Sequence, residues 1–199
     1  MRILIIGANG TLGQAAVAAL KGRHDIVTAG RSQGDVKVDL LDRQSIVRMY
    51  KDAGSLDAVV TCTGHAHFGP LATMTEDQFM IGLKDKLMGQ VNVVLIGQSL
   101  INDGGSFTLT GGVLDRDPIR KGANASTVNG ALNAFAMSAA IELPRQIRIN
   151  VVSPTVLEAS AQKYDGFFPG HVPVSSERVG YAYVKSVEGA ITGQVIELD

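Results

Sequence analysis

Arg2-Ile3-Leu4-Ile5-Ile6-Gly7-Ala8-Asn9-Gly10-Thr11-Leu12-Gly13 is an apolar run that stops at a glycine turn, after which Leu12, Ala15, Ala16, Ala19 and Leu20 recur at helical spacing. It reads as strand, glycine turn, helix. The three glycines have GxxGxxG spacing, and between a strand and a helix such a turn lets backbone amides and the helix N-terminus approach a pyrophosphate. Gly7, Asn9, Gly10, Thr11, Leu12 and Gly13 are therefore candidate cofactor-binding residues. A glycine-rich turn can also serve only to pack a helix against a strand, so the rest of the chain has to decide.

Further along, strands fit Asp25 to Ala29 and Val36 to Val38, with only Gly30 to Asp35 between them, too few residues for a helical crossover. One helix is thus expected to be missing after the second strand. A helix near Ser45 to Lys51 precedes the buried-strand run Ala58-Val59-Val60, which ends in Thr63-Gly64. Thr75-Glu76-Asp77-Gln78 has capping-box spacing, and apolar residues follow to Leu100, predicting one long helix. A strand at Ser106 to Leu109 runs into Thr110-Gly111-Gly112, and a second long helix spans Ser126 to Leu143, stopped by Pro144. The strand Ile147 to Val152, a helix near Glu177 to Ser186 and a strand near Gln194 to Leu198 complete the pattern. Alternating strands and helices predict a Rossmann-like, doubly wound parallel sheet, a three-layer α/β/α sandwich forming one domain over residues 1–199.

Composition excludes several classes of function. With 18 Lys+Arg against 19 Asp+Glu, 45% hydrophobic residues and 23 glycines, the chain has neither a basic face for nucleic acid nor a charged tail. Cys62 is the only cysteine, so an internal disulfide and a cysteine metal cluster are excluded, and a reducing cytoplasm is expected. The first apolar run is far shorter than a membrane span, and no membrane partner is expected. No metal site is expected either, because His65 and His67 have no evident third ligand.

An acidic residue after the second strand would bind ribose hydroxyls, but Gly30-Arg31-Ser32 stands there. A guanidinium suits a 2'-phosphate, so Arg31, with Ser32, points to NADP(H) over NAD(H). Asp39, followed by Leu40 at the end of the third strand, could accept a hydrogen bond from adenine or cap the next helix.

These residues resemble the short-chain dehydrogenase/reductase family. The likeness runs from the glycine turn through Thr63-Gly64 and Arg148-Ile149-Asn150-Val151-Val152-Ser153-Pro154 to Thr192-Gly193-Gln194-Val195. It implies a nicotinamide cofactor, with Thr63, Gly64, Pro154 and Thr155 at the strand ends completing its candidate binding residues, a small-molecule substrate and a homo-oligomer, dimer or tetramer, built on the two long helices. The apolar content of the second of these helices, beyond one core-facing stripe, agrees with such pairing.

The family's Tyr-x-x-x-Lys pattern is absent. Counting back from Glu142, the lysine position falls on Asn129 and the tyrosine position on Ala125, which cannot move a proton. The family serine falls near Gly112, leaving Thr110 as the nearby hydroxyl, and the family asparagine aligns with Lys86. Asparagine and lysine have exchanged helices. Lys86 is the main catalytic candidate, its stem expected to lie over Gly82, Gly89 and Val93, with Asn129 as its partner. His67 is a candidate proton donor, and Tyr164, with Phe167 and Phe168, a pocket wall with a replacement hydroxyl. The leading expectation is an NADP(H)-dependent oxidoreductase acting on a small carbonyl, alcohol or activated alkene with a non-standard acid-base group. The alternatives are a catalytically silent NADP(H)-binding sensor or scaffold, and a non-redox lyase or isomerase.

Overall fold

A computed structural model describes all 199 residues. In chain order the elements are β1 (Arg2–Ile6), α1 (Thr11–Leu20), β2 (Asp25–Gly30), β3 (Val36–Lys37), α2 (Arg43–Ala53) and β4 (Ala58–Thr61). There follow α3 (Glu76–Gly82), a π-helical segment (Leu83–Met88), α4 (Gly89–Gly97), β5 (Ser106–Thr110), α5 (Ala123–Glu142), β6 (Arg148–Pro154), α6 (Glu158–Ala161), α7 (Ser176–Glu188) and β7 (Val195–Leu198). The seven strands form one sheet in the order β3-β2-β1-β4-β5-β6-β7, and every neighbouring pair is parallel. The order reverses between β1 and β4, and in such sheets ligands bind outside the carboxyl ends of the strands at that point. The glycine turn and Thr63-Gly64 flank it.

Alternation along the strands divides the core in two. Leu4, Ile6, Val59, Phe107, Leu109, Ile149 and Val151 point to one face, where α2, α4 and α5 cover them. Ile3, Ile5, Ala58, Val60 and Val152 point to the other, under α1 and α7. There the helices meet closely, since a Cβ on Gly180 would lie 2.8 Å from the Ala19 Cβ.

β2 and β3 are joined by residues 31–35 without a helix. The Asp35 carboxylate accepts from the Thr28 amide and the Thr28 hydroxyl, both at 2.8 Å, and these bonds hold it below the usual carboxylate range. Gly34, at φ +120°, passes within reach of the Thr28 carbonyl, a path closed to residues with side chains.

The expected single helix from Thr75 to Leu100 is interrupted. Thr75 and Gln78 form the capping box, but after Gly82 the chain widens into the π-helical segment before α4 resumes at Gly89. Such segments re-aim the side chains they carry and gather at functional sites. α5 begins at Ala123, three residues before the expected start, and brings Asn124 into the interior at 0% exposure. β6 continues to Pro154, and α6, which the apolar pattern does not announce, opens the segment that covers the cleft.

Candidate functional site

Two adjoining clefts lie at the carboxyl ends of the central strands and share Gly64 and His65. The first, of about 360 Å³, is bounded by Gly7, Arg31, Leu40, Thr63 and Asp85. The second, of about 510 Å³, reaches from Thr11 and Leu12 past Lys86, Ala125 and Asn129 to Tyr164 and Phe168.

The glycine turn is built for close approach. Gly7 has φ +81°, and a Cβ on Gly13 would sit 2.1 Å from the Gly7 carbonyl. No side chain caps α1, so none competes for the positive end of its dipole. Across the first cleft the Arg31 guanidinium, 67% exposed, lies 3.3 Å from the Asp39 carboxylate. Asp39 also accepts from the Leu41 amide, whereas Asp42 caps α2 through the Gln44 amide. The helix-cap alternative for Asp39 therefore gives way to Asp42. Leu40 lines the cleft and packs against Gly89, while Ser32 stands outside it with its carbonyl taken by Lys37 Nζ at 2.5 Å.

Lys86 and Asn129 are in direct contact. Lys86 Nζ donates to Asn129 Oδ1 at 2.7 Å and to the Gly111 carbonyl at 2.9 Å, and Asn129 Nδ2 donates to the Gly112 carbonyl at 3.0 Å. Burial of the ammonium lowers its pKa to about 8, against the opposing attraction of Asp115. An ammonium has three N–H donors, so one remains for a group in the cleft. The stem does not run over Gly82 and Gly89 as helical spacing suggested. The π segment breaks that spacing, Gly82 closes on Asn124 and Gly89 on Leu40, and Gly64 makes room for the Lys86 stem.

Three other expectations are corrected by the packing. The Thr110 hydroxyl points away from Lys86, donating to the Thr61 carbonyl at 2.5 Å and accepting from the Tyr183 hydroxyl at 2.8 Å, because its register on β5 turns it toward α7. The His67 ring folds back over Gly69, so its neighbour His65 lines the cleft instead. Phe167 is outside the cleft, whereas Tyr164 and Phe168 meet edge to face at 6.0 Å on its wall, with Lys163 Nζ 5.4 Å from the Tyr164 ring centre. Pro154 and Thr155 line the same cleft, and the Thr155 hydroxyl is buried without a partner. Cys62 also borders it, but burial pushes its thiol up to about 12, which removes it as a nucleophile.

Sequence reading missed two residues that hold these parts together. Gln90, fully buried, accepts from the Thr110 amide at 2.9 Å and the Thr61 hydroxyl at 2.5 Å, and donates to the Thr110 and Thr63 carbonyls. It thereby joins the ends of β4 and β5 beneath the clefts. Asn124 accepts from the His67 amide at 2.9 Å and donates to the Phe79 carbonyl at 2.7 Å, linking α5, α3 and the loop after β4. A polar residue at a core-facing position of an otherwise apolar helix was the available signal for Gln90.

Comparison with known proteins agrees with this architecture. The family model described as enoyl-(acyl carrier protein) reductase matches residues 1–175. The L-xylulose reductase of Mesocricetus auratus is 26% identical over 210 residues, covering 96% of this chain and 85% of its own. The crystal structure of protein lin1944 from Listeria innocua superposes with a TM-score of 0.98 at 49% identity over the whole of both chains. A small-chain dehydrogenase solved in complex with NADPH has a TM-score of 0.88 at 23% identity, covering 100% of this chain and 96% of its own. With its all-parallel sheet, its glycine turn and a family match over most of its length, the chain belongs to the short-chain dehydrogenase/reductase family.

Proposed function

We propose that this protein is an NADP(H)-dependent oxidoreductase in which Lys86 replaces the family tyrosine as the acid-base group for a small carbonyl or alcohol substrate. The observation that carries this reading is the Lys86 ammonium, held by Asn129 and the Gly111 carbonyl at the cleft that Ala125 also lines. The cradle fits a dinucleotide: Gly7 and Gly13 leave no room for side chains, α1 is uncapped, and Arg31 offers a guanidinium for a 2'-phosphate. Leu40 and Val38 would flank an adenine, and Pro154 and Thr155 would border the nicotinamide end. When bound, the dinucleotide supplies or accepts the hydride.

The chain's own contribution is position and proton. Lys86 directs its free N–H at the substrate oxygen, polarises the carbonyl and gives up its proton as the alkoxide forms; in oxidation the neutral amine takes that proton back. Asn129 holds the ammonium and is itself fixed by Gly112, so the geometry does not need to reorganise during reaction. Tyr164 and Phe168 provide an apolar wall that excludes water. Exposed Leu95, Met137 and Ile141, the last 87% exposed, place apolar surface on α4 and α5 and support a homo-oligomer paired through these helices.

Fluorescence titration with NADPH and NADH, on wild type and Arg31→Ala, tests the cofactor reading. Tighter binding of NADPH, weakened by the substitution, is expected. A carbonyl panel followed by NADPH absorbance, with Lys86→Met as control, tests the chemistry. Turnover undiminished in Lys86→Met overturns the role of Lys86. The lack of a hydroxyl at Ala125 also favours a second reading, a silent NADP(H) sensor, which NADPH binding without turnover of any carbonyl would support.

A further inference from the structure

The turn that receives Lys86 ends in a buried carboxylate. Residues 113–115 form a short helical turn directly after Gly111 and Gly112, whose carbonyls accept from Lys86 and Asn129. Its last residue, Asp115, has a side chain only 5% exposed. One carboxylate oxygen accepts from Arg116 Nη1 at 2.9 Å and the other from Asn133 Nδ2, while the Asp115 amide closes the turn on the Gly112 carbonyl at 3.3 Å. Asn133 lies four residues after Asn129 on α5, so one face of that helix grips both ends of the turn. Arg116 anchors it from the other side, donating to the Ser153 hydroxyl at 2.8 Å and to Asp199.

We propose that Asp115 is the positioning residue of this site: through its own turn and Asn133 it sets the Gly111 and Gly112 carbonyls against Lys86 and Asn129, and its negative charge keeps the Lys86 ammonium protonated. The inference rests on Lys86 being the proton-transfer group. A buried ammonium without a counter-charge gives up its proton rather than remain desolvated. The other charged or titratable groups around Lys86 do not provide that counter-charge. Asp85, on its own segment, is bound to the His65 amide and lines the other cleft. His65 from the loop after β4 and Lys163 from the covering segment carry no negative charge, and Arg116 beyond the turn is itself a cation. The attraction of Asp115 opposes the effect of burial on Lys86 and is the only charge interaction that does so.

Asp115→Asn separates charge from shape. The amide still accepts from Arg116, and rotation of the Asn133 amide, whose Oδ1 is buried without a partner, lets it accept from the new NH₂ group. The turn therefore persists while the charge is gone. The direct test is the pH titration of the Lys86 side chain by NMR, with ¹³C-lysine labelling, on the full chain without added nucleotide and with Lys86→Met for assignment. Lys86 is expected to titrate about one pH unit lower in Asp115→Asn than in wild type. For any carbonyl the protein reduces, the basic limb of kcat/KM should move down by the same amount. Asp115→Ala, which also frees the turn, should in addition lower kcat at pH values where Lys86 is still charged. An unchanged Lys86 titration in a folded Asp115→Asn protein overturns the proposal. A shifted titration without turnover of any carbonyl leaves the role of Asp115 toward Lys86 standing and counts against the oxidoreductase reading alone.

Discussion

Gly64 and Lys86 occupy one space between them: a Cβ on Gly64 would lie 2.5 Å from Cγ and 2.7 Å from Cβ of Lys86. This glycine near the start of the loop after β4 is therefore the reason the lysine stem can pass from the π-helical segment to the carbonyl of Gly111. Gly64→Ala should displace that stem and strain a backbone held at φ +133°, at a cost of about 1–3 kcal/mol. The expected outcome is a lower Tm together with loss of carbonyl reduction. A variant with wild-type turnover would show that Lys86 reaches its place by another route.

The protonation of Lys86 gives carbonyl reduction a direction in pH. Its pKa near 8 means that the group is charged below that value, so kcat/KM for reduction should be level below pH 8 and fall about tenfold per unit above it. Alcohol oxidation needs the neutral amine and should rise to a plateau above pH 8. Identical pH profiles in the two directions would exclude Lys86 as the group that moves the proton.

The same group links stability to pH. In the folded chain Lys86 loses its proton near 8, in the unfolded chain near 10.5, so between these values the unfolded chain binds more protons and stability rises with pH. Below pH 8 the penalty for the buried ammonium is constant and fully present. Relative to Lys86→Met, in which this titration is absent, wild type should gain about 2 kcal/mol between pH 8 and 9.5, taking about 1.4 kcal/mol per unit. Urea unfolding of both proteins at matched pH measures the difference, and a constant gap across that range would sink the assignment of a buried charge.

Asn124→Ala removes a fully buried amide and leaves the His67 amide and the Phe79 carbonyl without partners. At about 1–3 kcal/mol for each of the two orphaned groups, the loss should be roughly 2–6 kcal/mol, and for a chain of this size Tm should drop by roughly 4–24 °C. Thermal unfolding followed by circular dichroism checks it. Because Asn124 ties down the loop after β4, nucleotide affinity should weaken as well, even in the folded variant.

The layered α/β architecture was legible in the residues themselves. The run Arg2 to Ile6, the glycines at 7, 10 and 13 and the recurring strand and helix periods are local signals, and backbone geometry needs nothing further to act on them. The pairing of Lys86 with Asn129 was expected from the family resemblance, which aligns these two residues with the family's asparagine and lysine positions, and the two side chains do meet. Tertiary structure alone decided which way the polar side chains turn. Thr110 stands beside the candidate site in sequence, yet its register on β5 commits the hydroxyl to Tyr183; His65 lines the cleft while the His67 ring folds over Gly69. The π-helical segment changes the facing of Lys86 without any marked change in apolar pattern. Asp115, Asn133 and Gln90 read as ordinary polar positions until the turn after β5 is packed against α5 and α4. A hydrogen-bond network depends on distances between segments far apart in the chain, and only the closed sheet with its helices in place sets those distances.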